Sequence, residues 1–225
     1  MNSVTPITSV TARAALGFRA HSGWAAVVAV ATPSQAARGV TPVVMERRRI
    51  ELIDQGIPGA AQPYHAAAEM EMTEAEQWIA RSADRARLLA RDAIRSILDG
   101  LAERACQTVA CGIVLASGRA LPPLAAVLGS HSLIHTAEGE LFREALRRGS
   151  EQCGLPVTGV KERELYSRSA MELGMQVEAL RSRVAQIGRP FGAPWTQDQK
   201  SAALAAWLAL ATTERGGTLI KAVRA

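Results

Sequence analysis

Aromatic side chains are scarce in this sequence. Phe, Trp and Tyr together make up 4% of its 225 residues, whereas apolar residues of all kinds make up 48%. The scarcity excludes a core built on rings and predicts one packed from alanine, leucine and valine. The apolar fraction, together with charges of both signs, excludes a disordered chain. We expect a flexible leader at residues 1–10 and a single globular domain at 11–225, which buries about 70% of its unfolded surface.

Cysteine is also scarce, and the three that occur, Cys106, Cys111 and Cys153, form no C-x-x-C motif. This odd number fits a reducing compartment better than a disulfide framework. The sequence has no basic segment followed by an apolar signal region, and no apolar run reaches the roughly 18 residues that a membrane span needs. The sequence therefore predicts a cytoplasmic protein without a membrane partner.

An excess of positive charge is present but small. The net charge is +5 and the pI is near 9.6. Such a balance permits attraction to phosphates, yet it is spread over many arginines and does not by itself indicate nucleic acid.

Three strand-like runs with short connections open the chain, at Ala12–Phe18, Trp24–Val30 and Val43–Leu52. We interpret them as an antiparallel meander. The segment Arg19–Gly23 is predicted to be the turn between the first two strands, and its polar side chains make it a place to look for chemistry.

The rest of the chain alternates helical and strand-like patterns. An apolar stripe predicts a long helical region over Glu69–Arg104, and the continuous apolar run Thr108–Ala116 predicts a strand buried on both faces. The later segments are a helix from the N-cap Ser130 to Gln152, a short strand at Pro156–Val160, and helices at Glu164–Leu173, Val177–Ile187 and Thr196–Ala211. This order predicts an α/β fold with a mixed sheet, in which three antiparallel strands are continued by two parallel ones and helices flank the faces.

The opening hairpin carries a family resemblance. Ala15-Leu16-Gly17-Phe18 and Ser22-Gly23-Trp24-Ala25-Ala26-Val27-Val28 resemble the first hairpin of ribonuclease H-like proteins, in particular relatives of the Holliday-junction resolvases. The last helix, Asp198–Leu210, is similar to the C-terminal helix of the same group. The resemblance covers most of the chain in element order and implies a ribonuclease H-like fold. Nucleases of this family hold two divalent ions with carboxylates on the first strand, the fourth strand and the last helix.

The sequence departs from that pattern of carboxylates. Arg19 stands where the first-strand aspartate is expected, Thr108–Ala116 contains no acid, and the last helix offers only Asp198. Because a guanidinium repels Mg²⁺ and cannot bind it, we predict a chain without the two-metal nuclease site. The related actin-like and sugar-kinase fold, which needs a similar aspartate, is also poorly matched.

A second pattern involves histidines. His131, His135 and Glu138 are spaced i, i+4, i+7, so that one helical face can present two imidazoles and a carboxylate. Three interpretations stay open: a metal site that lacks the glutamate of the H-E-x-x-H motif, a general base oriented by Glu138 or Glu140, and a hydrogen-bonded helix start. These residues are the catalytic candidates. No cofactor is predicted, and a divalent metal is the less favoured interpretation.

Several other polar residues are candidates for ligand binding. Arg19, His21 and Ser22 can hold an anion together with the backbone N–H groups at the Ser130 helix start. In the alternative, Arg19 pairs with Glu138 or Glu140 in a structural network. The candidate ligand-binding set is Arg19, His21, Ser22, Ser130, Glu140, Asp198 and Lys200.

Two hypotheses about function follow. The favoured one is a ribonuclease H-like module without a two-metal nuclease site that binds nucleic acid or a protein partner. The alternative is an enzyme, a hydrolase or a phosphate-handling protein, with a substituted site built from Arg19, His21, His131, His135 and Glu138. The sequence predicts no oligomeric state.

Overall fold

The computed structural model describes residues 11–36, 39–116 and 120–222, with side chains as far as residue 213, and the expected leader at 1–10 lies outside these ranges. Five strands form one sheet. They are β1 (Ala12–His21), β2 (Trp24–Pro33), β3 (Val43–Glu51), β4 (Cys106–Leu115) and β5 (Val157–Lys161).

The strands lie in the order β3-β2-β1-β4-β5. The pairs β1/β2 and β2/β3 are antiparallel, and the pairs β1/β4 and β4/β5 are parallel. The predicted α/β fold with a mixed sheet, in which three antiparallel strands are continued by two parallel ones, is therefore confirmed. Because β1, β3, β4 and β5 run in the same direction, their carboxyl ends meet at one edge, which is where open α/β sheets place ligands.

The hairpin between β1 and β2 is tighter than predicted. Strand pairing continues to His21 and Trp24, so the turn consists of Ser22 and Gly23 alone, and Gly23 has a φ of +81°. A two-residue turn with positive φ keeps both strands paired to their ends, and glycine adopts that conformation without strain. The prediction that Arg19–Gly23 is the turn was wrong. Arg19 and His21 belong to the strand and, two residues apart, they project from the same face.

Seven α-helices occur within the described residues. They are α1 (Pro63–Ala67), α2 (Met72–Ala102), α3 (Leu124–Leu128), α4 (His131–Gln152), α5 (Leu165–Leu173), α6 (Val177–Ile187) and α7 (Gln197–Ala222). The apolar cores show that α2 and α4 cover one face of the sheet and that α5, α6 and α7 cover the other. In the described ranges, no helix combines the length and the apolar character that crossing a membrane requires.

Helix α7 lies directly against the middle of the sheet. A Cβ atom on Gly17 of β1 would be 1.8 Å from the carbonyl oxygen of Ala202, and one on Gly112 of β4 would be 2.1 Å from that of Ala205. Two strand glycines therefore let the backbone of α7 reach the sheet. This contact sets the position of Asp198, which lies one helical turn before Ala202, at the carboxyl edge.

Helices α4 and α7 begin where the sequence predicts, but only α7 has the expected side-chain cap. Helix α4 has Ser130 at its N-cap position, but the Ser130 hydroxyl lies 3.3 Å from that of Ser132 and does not cap the helix. Helix α7 begins with a reciprocal cap. The Gln199 N–H donates to Thr196 Oγ1 at 3.3 Å, and the Thr196 N–H donates to Gln199 Oε1 at 3.0 Å. Thr196 is the N-cap that the sequence predicts.

Candidate functional site

Four polar side chains meet at the carboxyl edge of the sheet: Arg19, His21, Glu162 and Asp198, which we name the edge cluster. Arg19 Nη2 donates to both carboxylate oxygens of Glu162, at 3.1 and 3.0 Å. Arg19 Nε lies 3.9 Å from Asp198 Oδ1. The guanidinium on β1 is thus paired with one carboxylate just after β5 and with another in the first turn of α7.

The His21 ring extends the edge cluster toward the hairpin. His21 Nε2 is 3.1 Å from Asp198 Oδ1, although the angle between them does not meet that of a hydrogen bond. The ring stacks on Trp24, with centroids 4.3 Å apart and planes at 11°. The guanidinium carbon of Arg49 lies 4.2 Å from the Trp24 ring centroid, and Arg49 Nε bonds Glu51 at 2.6 Å. Planar groups therefore form a continuous stack beside the edge cluster.

The edge cluster is open to solvent. The exposed fractions of the side chains are 20% for Arg19, 33% for Asp198 and 53% for Glu162. Ion pairs with this degree of exposure contribute about 0–1 kcal/mol each. Arg19 therefore faces two carboxylates, Glu162 and Asp198, in pairs that are weak enough to be exchanged.

The sequence predicted part of this arrangement. Arg19, His21 and Asp198 were all candidates for ligand binding, and the structure brings them together. Glu162 was missed. The only signal for it was its position as the first residue after β5, since that strand ends at the same edge as β1.

The proposed pairing of Arg19 with Glu138 or Glu140 was wrong. The partners of Arg19 are Glu162 and Asp198, and Glu140 Oε2 instead accepts a hydrogen bond from Arg143 Nε at 3.1 Å. The position of α7 against the sheet brings Asp198 to Arg19, whereas Glu140 on α4 pairs with a residue of its own helix.

Three other candidates for ligand binding lie apart from the edge cluster. Ser22 is exposed at the tip of the hairpin, and Ser130 contacts Ser132. Lys200 is two residues after Asp198 on α7, which rotates it by about 200° around the helix axis. In the described ranges, none of the three shares a hydrogen bond or an ion pair with the edge cluster.

Three of the four histidines form a second group: His65, His131 and His135, which we name the histidine cluster. The ring centroids are 4.5 Å apart for His131 and His135, 4.8 Å for His65 and His135, and 5.3 Å for His65 and His131. The two Nε2 atoms of His131 and His135 are 3.1 Å apart. The i, i+4 spacing on α4 does place these two rings together, as the sequence predicted.

Glu138 has a different place from the one its spacing suggested. It is only 1% exposed, and its Oε1 accepts hydrogen bonds from the His65 N–H at 3.2 Å and from His65 Nδ1 at 2.9 Å. Its other oxygen, Oε2, is buried and has no hydrogen-bond partner among the described residues. Glu138 therefore lies behind His65 instead of beside His131 and His135. No local pattern could have shown this, because His65 and Glu138 are 73 residues apart.

Glu138 and the adjacent Tyr64 are both shielded from solvent. Burial raises the pKa of the neighbouring Tyr64, and the negative charge of Glu138 raises it further. The Trp78 Nε1 group donates to the Pro63 carbonyl oxygen at 3.0 Å and so holds the first residue of α1 against α2. Helix α1 is thus fixed in the position that brings His65 to Glu138.

The two clusters are separate networks. Within residues 11–36, 39–116 and 120–213, no hydrogen bond, ion pair or ring contact joins a member of the edge cluster to a member of the histidine cluster. A substituted site built jointly from Arg19, His21, His131, His135 and Glu138 is not assembled by direct contact.

Comparison with models of protein families finds no match, and comparison with curated proteins finds none either. Among solved structures, the Thermus thermophilus RuvC structure is 12% identical, with a TM-score of 0.49, over 90% of this chain and 96% of that one. T. thermophilus RuvC in complex with Holliday junction substrate is 10% identical, with a TM-score of 0.48, over 91% and 96%. The Aquifex aeolicus member of the Ppx/GppA family is 8% identical, with a TM-score of 0.34, over 72% of this chain and 40% of that one. These values describe a distant likeness of shape and assign no activity to this chain.

Proposed function

We propose that this chain is a ribonuclease H-like module that binds nucleic acid at the carboxyl edge of its sheet and lacks a two-metal nuclease centre. The observation that carries the proposal is the pairing of Arg19 on β1 with both nearby carboxylates, Glu162 and Asp198. The positively charged Arg19 side chain thus forms an ion pair with each of the two carboxylates of the edge cluster.

The edge cluster does not fit a pair of divalent ions. Hard cations such as Mg²⁺ need carboxylate oxygens with few competing positive charges nearby. Here Arg19 bonds both oxygens of Glu162 and approaches Asp198, and β4 supplies no acid. The guanidinium therefore competes with any ion for the same oxygens, and we derive no metal-assisted step at this edge.

The same guanidinium suits a phosphate group. Arginine N–H groups bind phosphate oxygens as they bind carboxylate oxygens, and Arg19 Nη2 already donates to both oxygens of Glu162. Since the Glu162 side chain is 53% exposed, the pair contributes about 0–1 kcal/mol and can be exchanged for a phosphate. His21 lies next to Arg19 on the same face and can add a second donor.

Planar groups next to Arg19 favour a nucleic acid over a simple anion. His21, Trp24 and Arg49 stack beside the edge cluster, at a corner of the sheet where the hairpin is exposed. Bases stack on aromatic and guanidinium planes largely without regard to sequence. The net charge of +5 adds an attraction that weakens with salt.

The proposal is tested by titrating fluorescent single-stranded, duplex and four-way-junction nucleic acids with the protein across a salt series. Arg19→Ala is expected to weaken binding by about tenfold or more and to reduce the salt slope by about one. Arg163→Ala is the matched control, because Arg163 is adjacent to Glu162, is 74% exposed and carries the same charge. Equal effects of the two substitutions, or no binding by the wild type, would overturn the proposal and turn the search to a protein partner.

Glu162→Gln tests whether a phosphate replaces Glu162 as the partner of Arg19, as opposed to a gain in affinity from the change in net charge alone. It removes the carboxylate that competes for Arg19, so affinity for nucleic acid should rise. Glu164→Gln, which changes charge equally two residues later, should raise it less. The same reactions, run with Mg²⁺ or Mn²⁺, should give no cleavage products. Cleavage that is lost in Glu162→Gln or Asp198→Asn contradicts the absence of a two-metal centre.

A second candidate function, an enzyme with a substituted site, is favoured by one observation. The histidine cluster packs three imidazoles together, with His65 bonded to the buried Glu138, and imidazole is the side chain that most often serves as a general acid or base. Product analysis on the same gels distinguishes the two candidates. Cleavage that disappears in His131→Ala or His135→Ala while Arg19→Ala retains it supports the enzyme.

A further inference from the structure

We infer that His65, His131 and His135 bind one divalent transition-metal ion of the zinc class, with Glu138 orienting His65 from behind. The inference does not depend on nucleic-acid binding, because no residue of the edge cluster takes part. The chain has four histidines, and the packing of α1 on α4 brings three of them together.

The distances between ring nitrogens fit such an ion. The ligand atoms of the three histidines all lie within 4.8 Å of one another, and the Nε2 atoms of His131 and His135 are 3.1 Å apart. Nitrogens bound to a tetrahedral zinc ion at about 2.0–2.1 Å are about 3.3 Å from each other. His131 and His135 are already near this separation, and the ligand atom of His65 lies within 4.8 Å of both.

The orientation of His65 matches that of a metal ligand. Its Nδ1 is 2.9 Å from Glu138 Oε1, which leaves Nε2 as its free ring nitrogen. Histidines that bind a metal through one nitrogen commonly donate the other N–H to a carboxylate, which fixes the ring and raises its basicity. The His65 backbone N–H donates to the same oxygen at 3.2 Å, so Glu138 holds both the ring and the helix that carries it.

The burial of Glu138 supports a bound cation, and this argument is independent of the ring geometry. Its side chain is 1% exposed, and Oε2 is buried without a hydrogen-bond partner in the part of the chain that the structure describes. Burying a carboxylate is costly unless a cation or several donors compensate it. No arginine or lysine in the described ranges forms an ion pair with Glu138; its one such partner is His65. A metal dication bound to His65 would supply the compensation.

The three imidazole nitrogens indicate which class of metal ion the histidine cluster would bind. Three imidazole nitrogens suit Zn²⁺, Co²⁺, Ni²⁺ or Cu²⁺, whereas Mg²⁺ and Ca²⁺ prefer oxygen ligands. His131 and His135 are exposed, so an ion can enter from solvent and a fourth position stays open to water. Three protein ligands and one open position are typical of zinc sites that exchange ligands.

The experiment is a calorimetric titration of ZnCl₂ into the untagged full chain after treatment with a chelator, repeated with CoCl₂ and followed by visible absorption. One equivalent of zinc and the intense absorption of tetrahedral cobalt are expected. His131→Ala and His135→Ala should each weaken binding by more than about 100-fold, since even an outer partner of a ligand contributes about 10–100-fold. His21→Ala, which changes the fourth histidine, is the matched control and should bind like the wild type.

Glu138→Gln tests the orienting role. It should keep a stoichiometry of one but weaken zinc binding by about 10–100-fold. If this buried substitution prevents folding, His135→Ala decides, because the ring of His135 is on the surface. The inference is overturned if the wild type does not bind micromolar zinc, if binding survives in His135→Ala, as ligation by cysteine would, or if His21→Ala weakens it equally.

Discussion

Gly17 of β1 and Ala202 of α7 are in backbone contact, so that a single methyl group on Gly17 would lie 1.8 Å from the Ala202 carbonyl oxygen. The contact repeats at Gly112 and Ala205 on the neighbouring strand, at 2.1 Å. Both β1 and β4 thus contact the backbone of α7 through a glycine. The first turn of that helix carries Asp198 to Arg19 and His21, so the geometry of the edge cluster depends on two residues that have no side chain.

Gly17→Ala is expected to destabilise the protein by about 1–3 kcal/mol or more, because the added methyl group meets helix backbone, which cannot move aside as a side chain can. The measurement is the free energy of unfolding from urea titration. Gly100→Ala on α2 is the control. Apart from its chain neighbours and the nearby backbone of α2 itself, no described atom lies within 4 Å of the Cβ position at Gly100, so the replacement of this helical glycine should stabilise by about 0.5–1 kcal/mol. Similar effects of the two substitutions would contradict a direct contact between Gly17 and the backbone of α7.

Elements with a strong local pattern could be predicted from the sequence. The continuous apolar run at Thr108–Ala116 became β4, which has strands paired on both sides. The helix expected from Ser130 to Gln152 is α4, and the Thr196 cap begins α7. In each case the signal lies within a few residues of the feature that it predicts.

Contacts between distant segments could not be predicted in this way. The sequence suggested a short connection over Arg19–Gly23, closed by the glycine, because polar residues are typical of turns. Strand ends at a solvated edge are polar for the same reason. His65 meets Glu138 across 73 residues, and Arg19 meets Glu162 across 143. Such pairings depend on how helices pack on the sheet, which the local pattern around each residue does not contain.

Thr196→Ala is expected to lower the free energy of unfolding by about 0.5–2 kcal/mol, because it removes the side-chain oxygen that accepts the Gln199 N–H at the start of α7. Thr196 is exposed, so little packing is lost with it. Thr196→Ser keeps the oxygen and should stay close to the wild type. Urea unfolding of both variants measures the difference. An equal loss in Thr196→Ser would show that the methyl group, rather than the cap, stabilises this helix start.

Cys111 predicts a specific dependence of stability on pH. Burial in the middle of β4 raises the pKa of its thiol from an ordinary value of 9.0 to about 11. Between these values the unfolded chain has lost the thiol proton and the folded chain has kept it. The folded state then binds more protons, so stability must fall as the pH rises, by up to about 1.4 kcal/mol per pH unit from this group. Below pH 9 the contribution is fully present.

The contribution of the Cys111 thiol is isolated by comparing the wild type with Cys111→Ala. For each protein, urea titrations between pH 8 and 11 give the slope of the unfolding free energy against pH. The substitution leaves a small cavity, but that cost does not change with pH, whereas the steep loss above pH 9 should become shallower. Burial also raises the pKa of Cys106 and Cys153, and both remain in each protein, so their contributions cancel. Parallel slopes would mean that the folded protein admits water or a cation to β4 at high pH, and the thiol of Cys111 would then react with alkylating reagents without unfolding.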